Sequence, residues 1–334
     1  MQSSTVKYNM LNKWCRPITF ALVAAFIVVC AFMPLGRLLQ WYSFVRAFEC
    51  LGRNEQGYLE YRHRMTGIVM VRVPGGVFTM GSSCEEVQEV IEEWLPLEVM
   101  FTRLTEPNTK LGSRSPEEWI AGFKEMVAHL EAPHLVTLDE YLIAKYEVSQ
   151  TIWEKVMESN PSEEKAGGKA VYGVSWEQCR SFCDKSGLRI PTEAQWEYAA
   201  RAGSKEAFWC GRTLPGFSKD MGLDEFRSRW NSLTGKGLPV TEDPLGPNTF
   251  GLYNVYGSFS EFCQDFYDPG FYVRDEAKGR NPICESDTGE RCYRGACSWD
   301  SPLCWRAAAR GGTAPMGGAL NYTLRPAFYP MFVW

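Results

Sequence analysis

The sequence predicts an irregular, loop-rich domain built on short helices, and three observations lead there. Between Tyr172 and Ser204 two short helices announce their own starts: Ser175 with Gln178, and Thr192 with Gln195, have the spacing in which a hydroxyl caps a backbone N–H and an amide reaches back. The 30 Gly and 19 Pro are spread along the chain, which points to many turns and ordered loops, not to a disordered linker. With 45% hydrophobic and 14% aromatic residues the chain can bury a sizeable core, and its 334 residues allow one large domain as readily as two.

Taken in chain order, the first element is a targeting segment. Ile18 to Leu35 is an uncharged run of 18 residues, long enough to span a bilayer and longer than a usual signal-peptide core. Lys7, Lys13 and Arg16 precede it, whereas Arg37, Arg46 and Arg53 are dispersed and accompanied by Glu49. The positive-inside bias therefore puts residues 1–16 in the cytoplasm, a signal anchor at 17–36, a juxtamembrane linker at 37–64 and an extracytoplasmic domain at 65–334. A cleaved signal is the alternative. A formal charge of −5 and a pI near 5.5 leave no electrostatic footprint for nucleic acid.

Two helical patterns follow between Cys84 and Glu131. The first, Cys84 to Leu95, carries Glu85, Glu86, Glu89, Glu92 and Glu93 around Val87, Val90, Ile91 and Trp94. The second has Ser115 as N-cap, Pro116 at the first helical position and Glu118 closing the box. Trp119, Ile120, Phe123, Met126, Val127 and Leu130 share one face. The pair reads as helices packed on the domain's own surface, or else as a lid or docking face. Beyond them come the two capped helices, joined by KSGLRIPT, with Pro191 before the second start and Gly203 past its end. Trp196 and Tyr198 add bulk to that short second helix, so packing must hold it.

Cysteine usage agrees with export. Ten of the twelve cysteines follow the apolar segment, and in an oxidising compartment such an even set reads as a disulfide framework. Cys179 and Cys183 lie one helical turn apart, so each is expected to bond to another segment. The three His, at 63, 129 and 134, are scattered, which speaks against a non-haem iron or zinc centre.

The stretch YGVSWEQCRSFCDKSGLRIPTEAQWEYAARAGS (172–204) resembles the family of the formylglycine-generating enzyme, the sulfatase-modifying factor. The resemblance covers roughly Gly67 to Phe328. MVRVPGGVFTMGS (70–82) and VTLDEYLIAKYEVSQTIWEKVMESNPS (136–162) look like the family's opening hairpin and first helix. RWNSL (229–233), GPNTFGLYNVYGSFSEFCQDFYDP (246–269), RGACSWDSPLCWRAAAR (294–310) and LNYTLRPAF (320–328) follow in the family's order. It implies an α+β, C-type-lectin-like fold with short helices and small antiparallel sheets. The helices of 84–131 then form an insertion where the family has a short link.

The family's activity, as the resemblance implies, is oxidation of a cysteine in an exported sulfatase to formylglycine, by two cysteines that bind Cu(I) and activate O₂. Arg306 and Arg310 fall where the family's paired arginines do, and with Trp299 they are the substrate-binding candidates; the planar forks of Arg294, Arg306 and Arg310 also suit bracing of core carboxylates and carbonyls, and Trp299 and Trp305 read also as core aromatics. Counting back from Arg306 puts Cys297 near the first copper cysteine, but Pro302 holds the second place; Cys304, two residues on, is the remaining catalytic candidate. The family also ties the cysteine at the place of Cys183 to this segment, which makes Cys304 its expected disulfide partner and Cys297 the alternative. Asn231 matches a first calcium loop, and Asn254 with Gly257 a second, in which Gly257-Ser258 replaces a Gly-Asn pair. Three functions follow. One is a membrane-tethered sulfatase-maturation oxidase using copper; another is a catalytically inactive binding or assembly module on the same fold; the third is a divergent oxidase using another metal. Cys297 acting alone as a nucleophile, activated by Arg294 and Arg306, lacks a base.

Overall fold

The computed structural model describes residues 35–96, 99, 102, 109–110, 112–217, 225, 238–297, 302–316 and 321–329. Residues 18–34 of the expected span, Asn231 and Trp299 lie outside them. The chain divides into two units, and in the smaller one the described element is helix α1 (Leu35–Ala47). Among the described residues no helix is long and apolar enough to cross a membrane.

Among the described residues, the larger unit, Phe48–Tyr329, carries three small sheets and five α-helices. Strands β1 (Phe48–Arg53), β2 (Leu59–His63), β3 (Val69–Val73), β6 (Tyr141–Ala144) and β12 (Ala327–Phe328) form the first sheet, in that order and antiparallel throughout. The second runs β10 (Gly311–Thr313), β9 (Arg291–Arg294), β7 (Ser260–Phe266), β11 (Tyr322–Thr323), and the third β4 (Gly76–Met80), β5 (His134–Leu138), β8 (Gly279–Arg280). Two short pairings, β11 with β7 and β5 with β8, are parallel. The expected opening hairpin is not one: β3 pairs with β6 while β4 pairs with β5. The bend at Pro74-Gly75-Gly76 divides one long ribbon between two sheets, and Gly75 lies there against the Leu138 carbonyl, where a Cβ would come within 2.8 Å.

The helices of the insertion are α2 (Cys84–Glu89), continued by a π-type turn over Val90–Trp94, and α3 (Pro116–Leu130). The Ser115–Glu118 capping box and the N-terminal Pro116 form as the spacing predicts. Val90, Leu95, Trp119, Phe123 and Val127 join the same apolar core as Trp196, Phe208 and Trp305, so the pair packs on its own domain. Helix α4 (Gln150–Met157) starts at Ser149; α5 (Trp176–Ser186) and α6 (Glu193–Arg201) both begin with the expected reciprocal boxes. Gly187 ends α5 in the left-handed conformation, while at α6 that conformation falls on Ala202, one residue before Gly203.

Candidate functional site

Helix α6 is buried on nearly every side and lies against β7 and β9. Its Glu193, Glu197 and Arg201 recur every four residues and so form one charged face inside the core. That face is the middle of a continuous chain of alternating charge. Glu131 meets Arg306 (2.8 Å), Arg306 approaches Glu86 (3.9 Å), Glu86 meets Arg201 (3.1 Å) and Arg201 meets Glu197 (2.8 Å). Glu197 then meets Arg294 (2.8 Å), Arg294 meets Glu193 (3.0 Å), and Glu193 meets Arg310 (2.7 Å). None of the eight side chains is more than 5% exposed, so each charge depends on its neighbours for solvation. Burial alone would raise the carboxyl of Glu193, but Arg310 and Arg294 more than offset it and hold it down at about 2.

The arginines of the C-terminal segment are therefore braces. Arg294 donates to Glu193, Glu197, the Tyr272 hydroxyl and the carbonyls of Ala307 and Ala309. Arg306 grips both oxygens of Glu131 and donates to Ser82 and the Leu303 carbonyl. Arg310 grips both oxygens of Glu193 and reaches the Asp268 carbonyl. Arg306 and Arg310, read from the sequence both as substrate binders and as core braces, spend their donors on core carboxylates and carbonyls.

Cys297 follows β9 directly after Ala296, which adopts a left-handed conformation, and it is buried; its carbonyl accepts a hydrogen bond from Trp305 Nε1 at 3.1 Å. Cys304 sits in the 3-10 turn Pro302–Trp305 and is exposed. It lines a cavity of 60 Å³ with Arg294, Ala296 and Arg310. Pro302 opens that turn and, having no sulfur, offers no ligand where the resemblance implies the second copper cysteine. The donor set for a bis-thiolate Cu(I) site is therefore incomplete as the family places it. Among the described residues no three His, Cys, Asp or Glu gather as metal ligands.

The expected disulfide partners lie apart: Cys183 is not beside Cys304, which lines the smaller cavity, but in a separate cleft of 560 Å³, with Trp176, Arg189, Cys284 and Arg291. In that cleft the Arg291 guanidinium is sandwiched between Trp176 (3.7 Å) and Phe266 (3.5 Å).

The second calcium set does not fit a cation. The Asn254 amide donates to the Val240 carbonyl, while the Asn254 carbonyl and the Glu261 carboxylate both accept from Arg325. A guanidinium thus already supplies the positive charge. Gly257, with φ of 74°, is required by a close approach instead: a Cβ there would overlap the Trp305 ring. Beside this loop Glu147 is buried, with one oxygen accepting from Ser258 and the other lacking a partner. Burial, aided by Glu261 and Asp243 and opposed by Arg325, pushes its carboxyl up to about 8. The unfolded chain releases this proton above about 4.5 and the folded chain only near 8, so stability falls as pH rises between the two, by up to about 1.4 kcal/mol per unit. Glu147→Gln should hence gain melting temperature over the parent progressively from pH 5 to pH 8; parallel curves would refute the assignment.

Sequence reasoning missed Glu86, Glu131, Glu193, Glu197 and Arg201. The four-residue spacing of Glu193, Glu197 and Arg201 on an otherwise apolar helix was the available signal.

The fold and these braces define a loop-rich α+β scaffold of the sulfatase-modifying type. The chain matches the Sulfatase-modifying factor enzyme 1-like domain over residues 55–327 and belongs to that family. It is 27% identical to the mouse formylglycine-generating enzyme over 161 residues, 47% of this chain and 43% of that one. It is 27% identical to the chaperone protein LppX of Paenibacillus barcinonensis over 217 residues, 48% of this chain and 75% of that one. The chain spans about half the length of the formylglycine-generating enzymes it matches. Its fold is similar to that of PvdO from Pseudomonas aeruginosa, with a TM-score of 0.55 at 19% identity, covering 84% of this chain and 97% of that one.

Proposed function

We propose that this chain is a catalytically inactive binding or assembly module of the family, acting on an exported protein such as a sulfatase or another secreted enzyme. The observation that carries this reading is the C-terminal segment: Pro302 stands in the second copper cysteine's place, and Arg294, Arg306 and Arg310 are closed onto buried carboxylates. A chaperone among the relatives fits the same reading, since a fold can keep a protein-binding role after losing its chemistry. Membrane attachment through residues 18–35, with the domain outside the cytoplasm, is part of the proposal and rests on the uncharged run and the basic residues before it. The second reading, a copper oxidase using Cys297 with Cys304, is favoured by the exposed position of Cys304 at a cavity wall beside Arg310.

The two part in an activity assay. Full-length protein in mild detergent, supplied with Cu(I), O₂, a thiol reductant and a sulfatase-type cysteine peptide, should yield no aldehyde by mass spectrometry. Aldehyde formation that disappears in Cys297→Ser would establish the oxidase and end the binding-module proposal.

A further inference from the structure

Strands β7 and β9 run antiparallel, with Glu261 opposite Arg294 and Phe262 opposite Tyr293. The ladder breaks there at a bulge and resumes with Phe266 opposite Arg291; Cys263 and Cys292 are the next residues after the last regular pair, one on each strand. Side chains alternate along a strand, so Cys263 shares the face of Glu261 and Cys292 that of Arg294, and both faces turn toward α6. Both thiols are fully buried, and they lie within hydrogen-bonding reach of one another. Neighbouring strands lie about 4.8 Å apart, inside the Cα separation of roughly 4.4–6.8 Å that a disulfide spans.

We propose that Cys263 and Cys292 are a disulfide-forming pair, joined across β7 and β9 while the chain folds. The two thiols give up two protons and two electrons, forming the S–S bond, and an external disulfide such as oxidised glutathione or a dithiol oxidase is reduced to two thiols. The timing follows from burial. In the folded protein burial raises both thiols above their ordinary value, which suppresses the thiolate needed for exchange, whereas in the unfolded chain both ionise normally. Once made, the bond is sealed from reductant by the same packing. It closes the loop of residues 264–291, which carries Tyr272, the hydroxyl partner of Arg294, so the staple also holds the charged chain in register.

The test is a cysteine map of the full chain, refolded in detergent from the reduced, denatured state in a mixture of reduced and oxidised glutathione. Free thiols are blocked with N-ethylmaleimide in denaturant and the peptides are read before and after reduction. Cys263 and Cys292 should appear in one linked species and accept a label only after reduction. Labelling of both without reduction, or linkage of either to another cysteine such as Cys284, would overturn the proposal. The oxidised parent should also melt on the order of 5–10 °C above the Cys263→Ala/Cys292→Ala variant. Equal melting temperatures would contradict it equally.

Discussion

Arg306→Met should destabilise the domain by about 3–5 kcal/mol at neutral pH, because it strands a buried carboxylate. Arg306 supplies both bonds to Glu131 at 2.8 Å and stands between Glu131 and Glu86, neither of which reaches solvent. Burial pushes the carboxyl of Glu131 up, but the charge and hydrogen bonds of Arg306 more than offset it, so its value in the folded protein lies below the ordinary one. A carboxylate depressed in this way contributes stability that is present above about pH 4.5 and lost as pH falls through the folded value. The deficit of Arg306→Met should accordingly shrink on acidification, when Glu131 can take up a proton. Arg306→Met combined with Glu131→Leu should recover most of the loss, since an apolar pair of similar volume asks for no compensation. Urea unfolding of the three proteins at pH 7 and pH 5 measures this. A single variant within 1 kcal/mol of the parent at pH 7 would show that the segment is not a brace.

The second large effect is expected at Gly257→Ala, about 3–5 kcal/mol. A Cβ at this position overlaps the ring of Trp305, and its φ of 74° is disfavoured for any residue with a side chain. The ring has no room to retreat: Trp305 is fully buried and its Nε1 is bonded to the Cys297 carbonyl. In a Trp305→Leu background the same alanine should cost only the backbone part, about 1–2 kcal/mol. Additive effects in this double-mutant cycle would mean that the close approach is not what selects glycine. A calcium role for Gly257 would show instead as a Ca²⁺-dependent melting temperature.

These two sites mark the boundary of what the sequence could reveal. Helices α3, α5 and α6 were legible because their start signals are local: Ser115 with Glu118, Ser175 with Gln178 and Thr192 with Gln195 sit three residues apart. The family, and with it the fold, was legible in the order of the motifs. The buried charge chain was not, because its links are remote in sequence; Glu86 meets Arg201 across 115 positions and Glu131 meets Arg306 across 175. Read locally, Glu86 is one of five acidic residues on a short helix, and only the approach of Arg201 and Arg306 makes its burial tolerable. The arginines themselves read two ways in the sequence, as substrate binders from their place in the segment and as core braces from their planar forks, but their partners could not be named. Their carboxylate partners on α6 and at the end of the insertion assign them to the core. The division of the opening ribbon between two sheets was similarly hidden, since it depends on which strands β3 and β4 find, not on the residues of the bend alone. The pairing of Cys183 failed for the same reason: helix α5 turns that thiol into a cleft with Cys284 and Arg291, away from the turn that holds Cys304.

Whether the segment around Cys297 has lost its copper chemistry is decided most directly by Cu(I) titration of the reduced protein against a chromophoric chelator, with Cys297→Ser and Cys304→Ser in parallel. All three proteins should give the same binding curve, with no tight stoichiometric complex that depends on Cys297. A one-to-one bis-thiolate complex in the parent, lost in both variants, would contradict it.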